Sequence, residues 1–100
     1  MKVSDLTLNA IKSYITGDGA PTPYMSGPEL IKFFNAFGLS DEYSTGGLPN
    51  AWSRNEYTYE RLKEVNGNPQ FKKLIEAIPD SRRVSNPNEI ASELSIVKSL

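Results

Sequence analysis

Carboxylate side chains are the first candidates for acid–base chemistry in this sequence. Glu56, Glu60 and Glu64 recur every fourth residue, and Asp41 directly precedes Glu42. Paired carboxylates can serve as general acid and general base when one is buried and the other is solvated. Basic residues are interleaved with the glutamate row, however, which is typical of a solvated helix face. The spacing therefore favours a surface over an active site.

The residue types that most often carry catalysis or bind metals are missing from the chain. It contains no histidine and no cysteine, which removes the usual general base, the commonest zinc ligand and any disulfide. The stretch TGDGAP at 16–21 has too few acidic positions for a calcium loop and lacks the lysine of a phosphate-binding loop. We predict no catalytic residue, no metal site and no cofactor, and hence a protein that is not an enzyme.

Aromatic and arginine side chains are concentrated in LPNAWSRNEYTYERLKEVNGNP, residues 48–69. Tryptophan and arginine are frequent interface hot spots, so this segment is a candidate contact surface. A lone tryptophan in a small domain is more often a core anchor, because its burial contributes so much. We predict that Trp52 lies in the core. We also expect Arg54 to bind carbonyls or an acidic residue and to hold the long loop down.

Basic side chains in the second half of the chain suggest an alternative, a nucleic-acid interface. A helix pair at 58–78, joined by the turn NGN, has about the length of a helix–turn–helix. Acidic residues lie among the basic ones and the net charge is −1, which argues against strong attraction to nucleic acid. The candidate residues for binding a partner or nucleic acid are Arg54, Arg61, Lys72, Lys73, Arg82 and Arg83.

Helical signals dominate the elements that must position these side chains. In SGPELIKFFNAFG, Ser26 and Glu29 form a capping box, Pro28 lies in the first turn and Gly38 follows the end. No segment shows the alternation of a half-buried strand. The sequence predicts an all-α fold, a compact bundle of about five short helices with two long irregular loops at 17–25 and 39–57. The predicted helices run from Ser4 to about Thr16, from Ser26 to Gly38, from near Thr58 to Asn66, from Asn68 to Pro79, and from the NPNE motif at 86–89 onwards.

Chain length and the absence of long apolar runs bear on domain organisation and location. One hundred residues form one domain, 1–100. No apolar run approaches the roughly 20 residues needed to span a bilayer, and the N-terminus lacks a signal-peptide core, so we expect a cytoplasmic protein without membrane contact. The last helical pattern is still periodic at Leu100. We therefore expect the N-terminal module of a longer protein.

Three segments together are similar to a known family. They are YMSGPELIKFFNAFG, LPNAWSRNEYTYERLKEVNGNPQFKKLIEAI and SNPNEIASELSIVKSL, within residues 24–100. They resemble the N-terminal helical domain of bacterial abortive-infection proteins of the AbiJ type. The positions that match are Phe34, Asn35, Gly38, Trp52, Arg54, Tyr57, Leu62, Asn66 and Gly67. All of these also suit structural roles in a core, a cap or a turn, so the resemblance transfers no functional residue.

The resemblance implies a setting, namely anti-phage defence in bacteria. In such proteins the helical module is thought to sense or to couple, and a C-terminal domain is the effector. The leading hypothesis is a non-enzymatic helical module for sensing or protein interaction. Its partner would be another protein or a C-terminal effector domain of the same chain. Nucleic-acid binding is the second hypothesis, and a small stand-alone, phage-encoded inhibitor is the third.

Overall fold

Five α-helices account for most of the backbone that the structure describes. The computed structural model describes residues 2–19, 21–80 and 84–98. Within these ranges there is no β-strand, only an isolated bridge between Ser44 and Gly47. The all-α prediction is therefore confirmed. The helices are α1 (Asp5–Thr16), α2 (Gly27–Asn35), α3 (Arg54–Val65), α4 (Pro69–Ala77) and α5 (Pro87–Lys98), with a short 3-10 helix at Pro49–Ala51.

The start of α2 follows the cap that the sequence predicts. The Ser26 hydroxyl accepts a hydrogen bond from the backbone N–H of Glu29. The Glu29 carboxylate in turn accepts the N–H of Ser26 at 2.9 Å, which completes the capping box. Two N–H groups that helix geometry leaves without backbone partners are satisfied in this way.

The third helix begins earlier than predicted. The sequence pattern placed its start near Thr58, whereas α3 begins at Arg54. Ser53 is its N-cap and forms a second capping box with Glu56, with N–H to oxygen distances of 3.1 and 3.2 Å. The S-x-x-E signal was present in the sequence as SRNE. The second irregular connection consequently ends at Ser53 and not at Tyr57.

The chain turns back sharply over the end of α1 at Gly17. This residue has φ of +82°, a left-handed conformation that glycine adopts without strain. A Cβ atom at Gly17 would also collide with the backbone of Pro23 and lie 2.7 Å from Cα of Tyr24. The backbone N–H of Met25 then donates to the carbonyl of Thr16 at 3.0 Å. The first irregular connection is thus folded tightly against the helix that it leaves.

The hydrophobic core is built on the pairing of α1 with α3. Their packing is the most extensive between any two helices, and α5 adds to α1 while α2 adds to α3. The apolar faces predicted from helical spacing point inward. The fully buried apolar side chains are Leu8, Ile11, Ile15, Leu30, Phe34, Tyr57, Leu62, Phe71, Leu74 and Ile78.

The two ends of α3 are attached to distant parts of the chain. At its C-terminal end, Asn66 accepts the backbone N–H of Val3 and donates to the Val3 carbonyl, at 2.9 and 2.8 Å. These two hydrogen bonds resemble those between paired β-strands, and they attach the N-terminal segment to the end of α3.

Among the described residues, no helix is long and apolar enough to cross a membrane.

Candidate binding groove

An open groove of about 440 Å³ lies where the two irregular connections meet the starts of α2 and α3. Its volume falls within the range of small-ligand sites. Four of its lining residues are glycine or alanine, and these small residues leave the groove open to solvent. The groove is lined by Tyr24, Ser26, Gly27, Pro28, Tyr43, Gly46, Gly47, Leu48, Ala51, Trp52, Ser53 and Arg54.

Two exposed tyrosines form the aromatic walls of the groove. Tyr24 is 62% exposed and Tyr43 is 51% exposed, in a domain whose other aromatic rings are mostly buried or half-buried. The Tyr43 ring packs directly over Gly27: a Cβ atom there would lie 2.6 Å from Cε2 of the ring. Glycine at position 27 therefore leaves room for the Tyr43 ring to lie against the start of α2.

Trp52 lies between the groove and the core. It is half-buried, packs against the edge of the core and lines the groove with its remaining surface. The sequence interpretation had placed it in the core. The fully buried aromatic residue of this segment is instead Tyr57, whose ring meets Phe34 edge to face at a centroid distance of 5.7 Å.

Backbone strain precedes Trp52 directly. Asn50 and Ala51 both have positive φ, +57° and +54°. Alanine pays roughly 1–2 kcal/mol for a left-handed conformation, so surrounding contacts must hold it there. These two residues are the last two of the short 3-10 helix, and they lead directly into Trp52, which lines the groove.

Arg54 fastens the first irregular connection to the start of α3. Its guanidinium donates to the carbonyls of Met25 and Thr16, both at 2.7 Å, and to the Asp18 carboxylate at 2.9 Å. It also stacks over the Tyr24 ring, 3.9 Å from the ring centroid. The predicted partner types, carbonyl and carboxylate, are those observed. The loop that Arg54 holds is the first connection, 17–25, and not the longer one that precedes it in the chain.

A second arginine holds the longer connection. Arg61 donates to both carboxylate oxygens of Asp41, at 2.8 and 3.0 Å, and the Tyr57 hydroxyl donates to the same carboxylate at 2.8 Å. The Asn35 side chain accepts the backbone N–H of Asp41 at 2.9 Å and donates to the backbone carbonyl of Asp41 at 3.0 Å. The Asp41 and Arg61 side chains are only 14% and 17% exposed. This polar cluster ties the connection to α2 and α3.

Burial and hydrogen bonding shift the pKa values of two residues of this cluster, Tyr57 and Arg61. Burial raises the pKa of Tyr57 well above its ordinary value, and the hydrogen bond to Asp41 raises it further. Burial by itself lowers the pKa of Arg61. The hydrogen bonds and charge interaction with Asp41, and then those with Glu64, outweigh burial and raise the pKa overall. The phenol therefore stays neutral and the guanidinium stays charged at physiological pH. Both act as hydrogen-bond donors to one carboxylate.

The predicted site residues do not come together in one place. Arg54 lines the groove, and the Arg61 guanidinium lies 5.3 Å from the Trp52 ring centroid, but both side chains are engaged within the molecule. Lys72 and Lys73 are exposed on α4 and do not line the groove. Arg82 and Arg83 lie outside the described residues.

The glutamate row on α3 takes part in local contacts. Glu56 caps the helix, Glu60 pairs with Lys63 at 2.9 Å and Glu64 pairs with Arg61 at 2.7 Å. Sequence reasoning missed the two groove tyrosines, Tyr24 and Tyr43. The available signal was their place in Gly- and Pro-rich connections, where an aromatic residue has no helical face on which to be buried.

Fold and site together define a small all-α domain with an aromatic groove at its loop end. Among the described residues, no group of three or more acidic side chains gathers as a metal site. No family model matches the chain, and no curated protein or solved structure matches it.

Proposed function

We propose that this domain is a non-enzymatic protein-interaction module whose groove receives a segment of a partner protein. The observation that carries the proposal is the pair of exposed tyrosines that line the groove. Arg54 stacks on Tyr24, and Gly27 admits the ring of Tyr43. Rigid aromatic rings supply contact area at low entropic cost, which is why they recur as binding hot spots.

The proposed setting is anti-phage defence in the bacterial cytoplasm. It rests on the sequence resemblance to the AbiJ-type N-terminal domain, whose three similar segments lie within residues 24–100 and contain the groove residues Tyr24, Trp52 and Arg54. In that setting the bound segment belongs to a protein partner or to a C-terminal effector domain. The groove would then couple recognition of a partner to the effector.

Nucleic-acid binding is less well supported than protein interaction. Of the candidate cations, Arg54 is neutralised by Asp18, and Arg61 is shared between Asp41 and Glu64. Phosphate contacts need cations that are free to replace condensed counterions. Among the described candidates, Lys72 and Lys73 remain exposed, but these two lysines supply a weak electrostatic footprint beside Glu76, and Arg82 and Arg83 lie outside the described residues.

Selection from a random peptide library tests the proposal. We expect the wild-type domain to enrich peptides that bind the groove, and Tyr43→Ala to weaken their binding at least tenfold. Leu6→Ala, which removes a large apolar side chain of similar exposure (67%) on α1, is the matched control and should leave binding unchanged. Circular dichroism would check that both variants remain folded. If Tyr43→Ala and Leu6→Ala retain the same peptides equally, the groove is not the binding site.

A further inference from the structure

An Asn-Gly dipeptide occurs once in the chain, at Asn66-Gly67, in the connection between α3 and α4. Asn66 has φ of −55° and ψ of 128°, and Gly67 has φ of +86°. The N–H of Asn68 donates to the carbonyl of Val65 at 2.9 Å. These values describe a type II β-turn, in which the N–H of the third residue does not take part in the closing hydrogen bond. The Gly67 nitrogen is therefore not held by the bond that closes the turn.

Asparagine followed by glycine can react within the chain, because glycine has no side chain to hinder its own backbone nitrogen. The Gly67 nitrogen loses its proton and attacks Cγ of Asn66. The bond from this nitrogen to Cγ forms, the bond from Cγ to Nδ2 breaks, and ammonia leaves with the proton. Water then opens the resulting five-membered succinimide at either carbonyl, which gives aspartate or isoaspartate at position 66. Water is the only other reactant.

The turn itself holds the reacting groups apart. In a succinimide, Cβ of Asn66 and the Gly67 nitrogen lie on the same side of the Asn66 Cα–C bond. With ψ of 128° they do not, so the peptide between the two residues must rotate before the ring can close. Gly67 permits this rotation, since glycine adopts positive and negative φ with little difference in energy. Whatever covers the turn therefore decides how easily the ring forms.

The segment that precedes α1 covers this turn. The Asn66 side chain accepts the N–H of Val3 at 2.9 Å and donates to its carbonyl at 2.8 Å, and both hydrogen bonds are partly buried. The Lys2 side chain lies over Gly67, where a Cβ atom would be 3.6 Å from Cδ of Lys2. Attack on Cγ makes this atom tetrahedral, whereas both hydrogen bonds are made in the plane of the amide. The covering segment must therefore detach before the reaction proceeds.

The product cannot restore the original contact. A carboxylate at position 66 can accept the N–H of Val3, but it has no proton to donate to the Val3 carbonyl. Two oxygen atoms would then face each other in a partly buried place, which is unfavourable. Isoaspartate adds a methylene group to the backbone and displaces the side chain further. Either product weakens the attachment of the segment before α1 to the end of α3.

From these observations we propose that Asn66 is a modification site, at which spontaneous deamidation is controlled by its pairing with Val3. While Val3 is bound, the side chain remains an amide. When the segment detaches, the reaction proceeds, and the product keeps the segment from binding as before. The modification is thus a one-way release of this segment from α3, and it depends neither on the groove nor on a partner.

Peptide mapping by mass spectrometry tests the proposal. The chain would be incubated at one mildly alkaline pH, either folded in buffer or unfolded in guanidinium chloride, and aspartate and isoaspartate at position 66 would be quantified over time. We expect the folded wild type to react about tenfold more slowly than the unfolded chain, because local opening must precede ring closure.

Two substitutions of Val3 separate its backbone hydrogen bond from its side chain. Proline removes the N–H that Asn66 accepts, whereas alanine keeps both the N–H and the carbonyl. We expect Val3→Pro to react about fivefold faster than the wild type, as for the loss of one hydrogen bond. Val3→Ala is the matched control and should stay close to the wild-type rate. Circular dichroism would check that both variants remain folded.

A further measurement needs no substitution. Ion-exchange chromatography separates the modified chain from the unmodified one, because the amide has become a carboxylate. Hydrogen exchange at the Val3 N–H, followed by NMR at mildly acidic pH, should be about fivefold faster in the modified chain, since its attachment to α3 is weakened.

Three results would overturn the proposal. The first is that position 66 does not react in the unfolded chain, or reacts equally fast in the folded and unfolded chains. The second is that folded Val3→Pro reacts no faster than Val3→Ala, which would assign the protection to contacts other than the pairing with Val3. The third is unchanged exchange at Val3 in the modified chain, which would show that the modification does not release the segment.

Discussion

Asp41 is the residue on which the polar contacts of the second irregular connection converge. Its carboxylate accepts hydrogen bonds from Tyr57 and Arg61, while Asn35 holds its backbone. The cluster is mostly buried, so each donor depends on this one acceptor to offset its loss of water. The exposed pair between Lys63 and Glu60 carries no such dependence, because solvent screens it and can replace either partner.

Tyr57→Phe tests this cluster through the pH dependence of stability. At pH 7 the variant should lose about 1–2 kcal/mol of unfolding free energy, because a hydrogen bond to a charged acceptor is removed. The folded-state pKa of Tyr57 is raised above the ordinary value of 10.0. As the pH rises through about 10, Tyr57 therefore ionises in the unfolded chain before it ionises in the folded protein. This lowers the unfolding free energy of the wild type but not that of the variant, which has no hydroxyl at this position. The advantage over the variant should shrink by up to about 1.4 kcal/mol per pH unit.

Urea denaturation at a series of pH values from 7 to about 12 measures this difference. Tyr43→Phe, at an exposed position outside the cluster, controls for the general effect of losing a hydroxyl. A free-energy difference between wild type and Tyr57→Phe that stays constant over the whole range would contradict the expected coupling.

At the scale of elements, α3 organises both irregular connections. Its first residue, Arg54, binds the first connection, and its Arg61 binds the second. Both arginines reach acceptors through several N–H groups at once, which a lysine cannot reproduce. The groove lies between the two connections, so its shape depends on these attachments to one helix.

Arg54→Lys should loosen the first connection without disrupting the bundle. We expect a loss of about 1–2 kcal/mol, because lysine keeps a charge for Asp18 but cannot also bind both carbonyls. Cleavage within residues 17–25 in limited proteolysis should become faster, since the backbone there loses its attachment. Lys73→Arg, at an exposed position on α4, is the control. Unchanged proteolysis and an unchanged urea midpoint in Arg54→Lys would argue against this role.

At the scale of the whole molecule, one small core supports the fold. A domain of 100 residues has a total stability of about 5–15 kcal/mol. Its buried aromatic rings are therefore a large part of what keeps it folded. Phe34 is fully buried and meets both Phe33 and Tyr57 edge to face. It connects α2 to α3 through the Tyr57 ring, whose hydroxyl binds Asp41.

Phe34→Ala should cost about 3–5 kcal/mol, the range for truncating a buried phenylalanine. Such a loss approaches the whole stability of a marginal domain, so we expect a strongly lowered urea midpoint or an unfolded chain. Urea denaturation monitored by circular dichroism measures this change. Leu6→Ala, at an exposed position, should change the stability by no more than about 0.5 kcal/mol. Similar midpoints for the two variants would show that the core is not centred on Phe34.

The sequence alone predicted the five helices and most of their inward faces. Ser26, Glu29 and Pro28 mark the start of α2, and Asn68 with Pro69 marks the start of α4, because caps depend on residues three or fewer positions apart. Helical spacing likewise predicted Leu8, Ile11 and Ile15 as the buried face of α1. The start of α3 at Arg54 was also readable from SRNE, although the prediction began it four residues late.

The groove and its supports were decided only by the tertiary structure. Arg54 reaches Asp18 across 36 positions of sequence, and Arg61 reaches Asp41 across 20. A local sequence pattern indicates that an arginine can donate hydrogen bonds. It does not indicate which of many acceptors the fold brings close to that arginine. Whether Trp52 or Tyr57 fills the core depends likewise on how α3 is rotated against α1 and α2. Binding surfaces of this kind arise from packing between distant segments, which no short-range rule encodes.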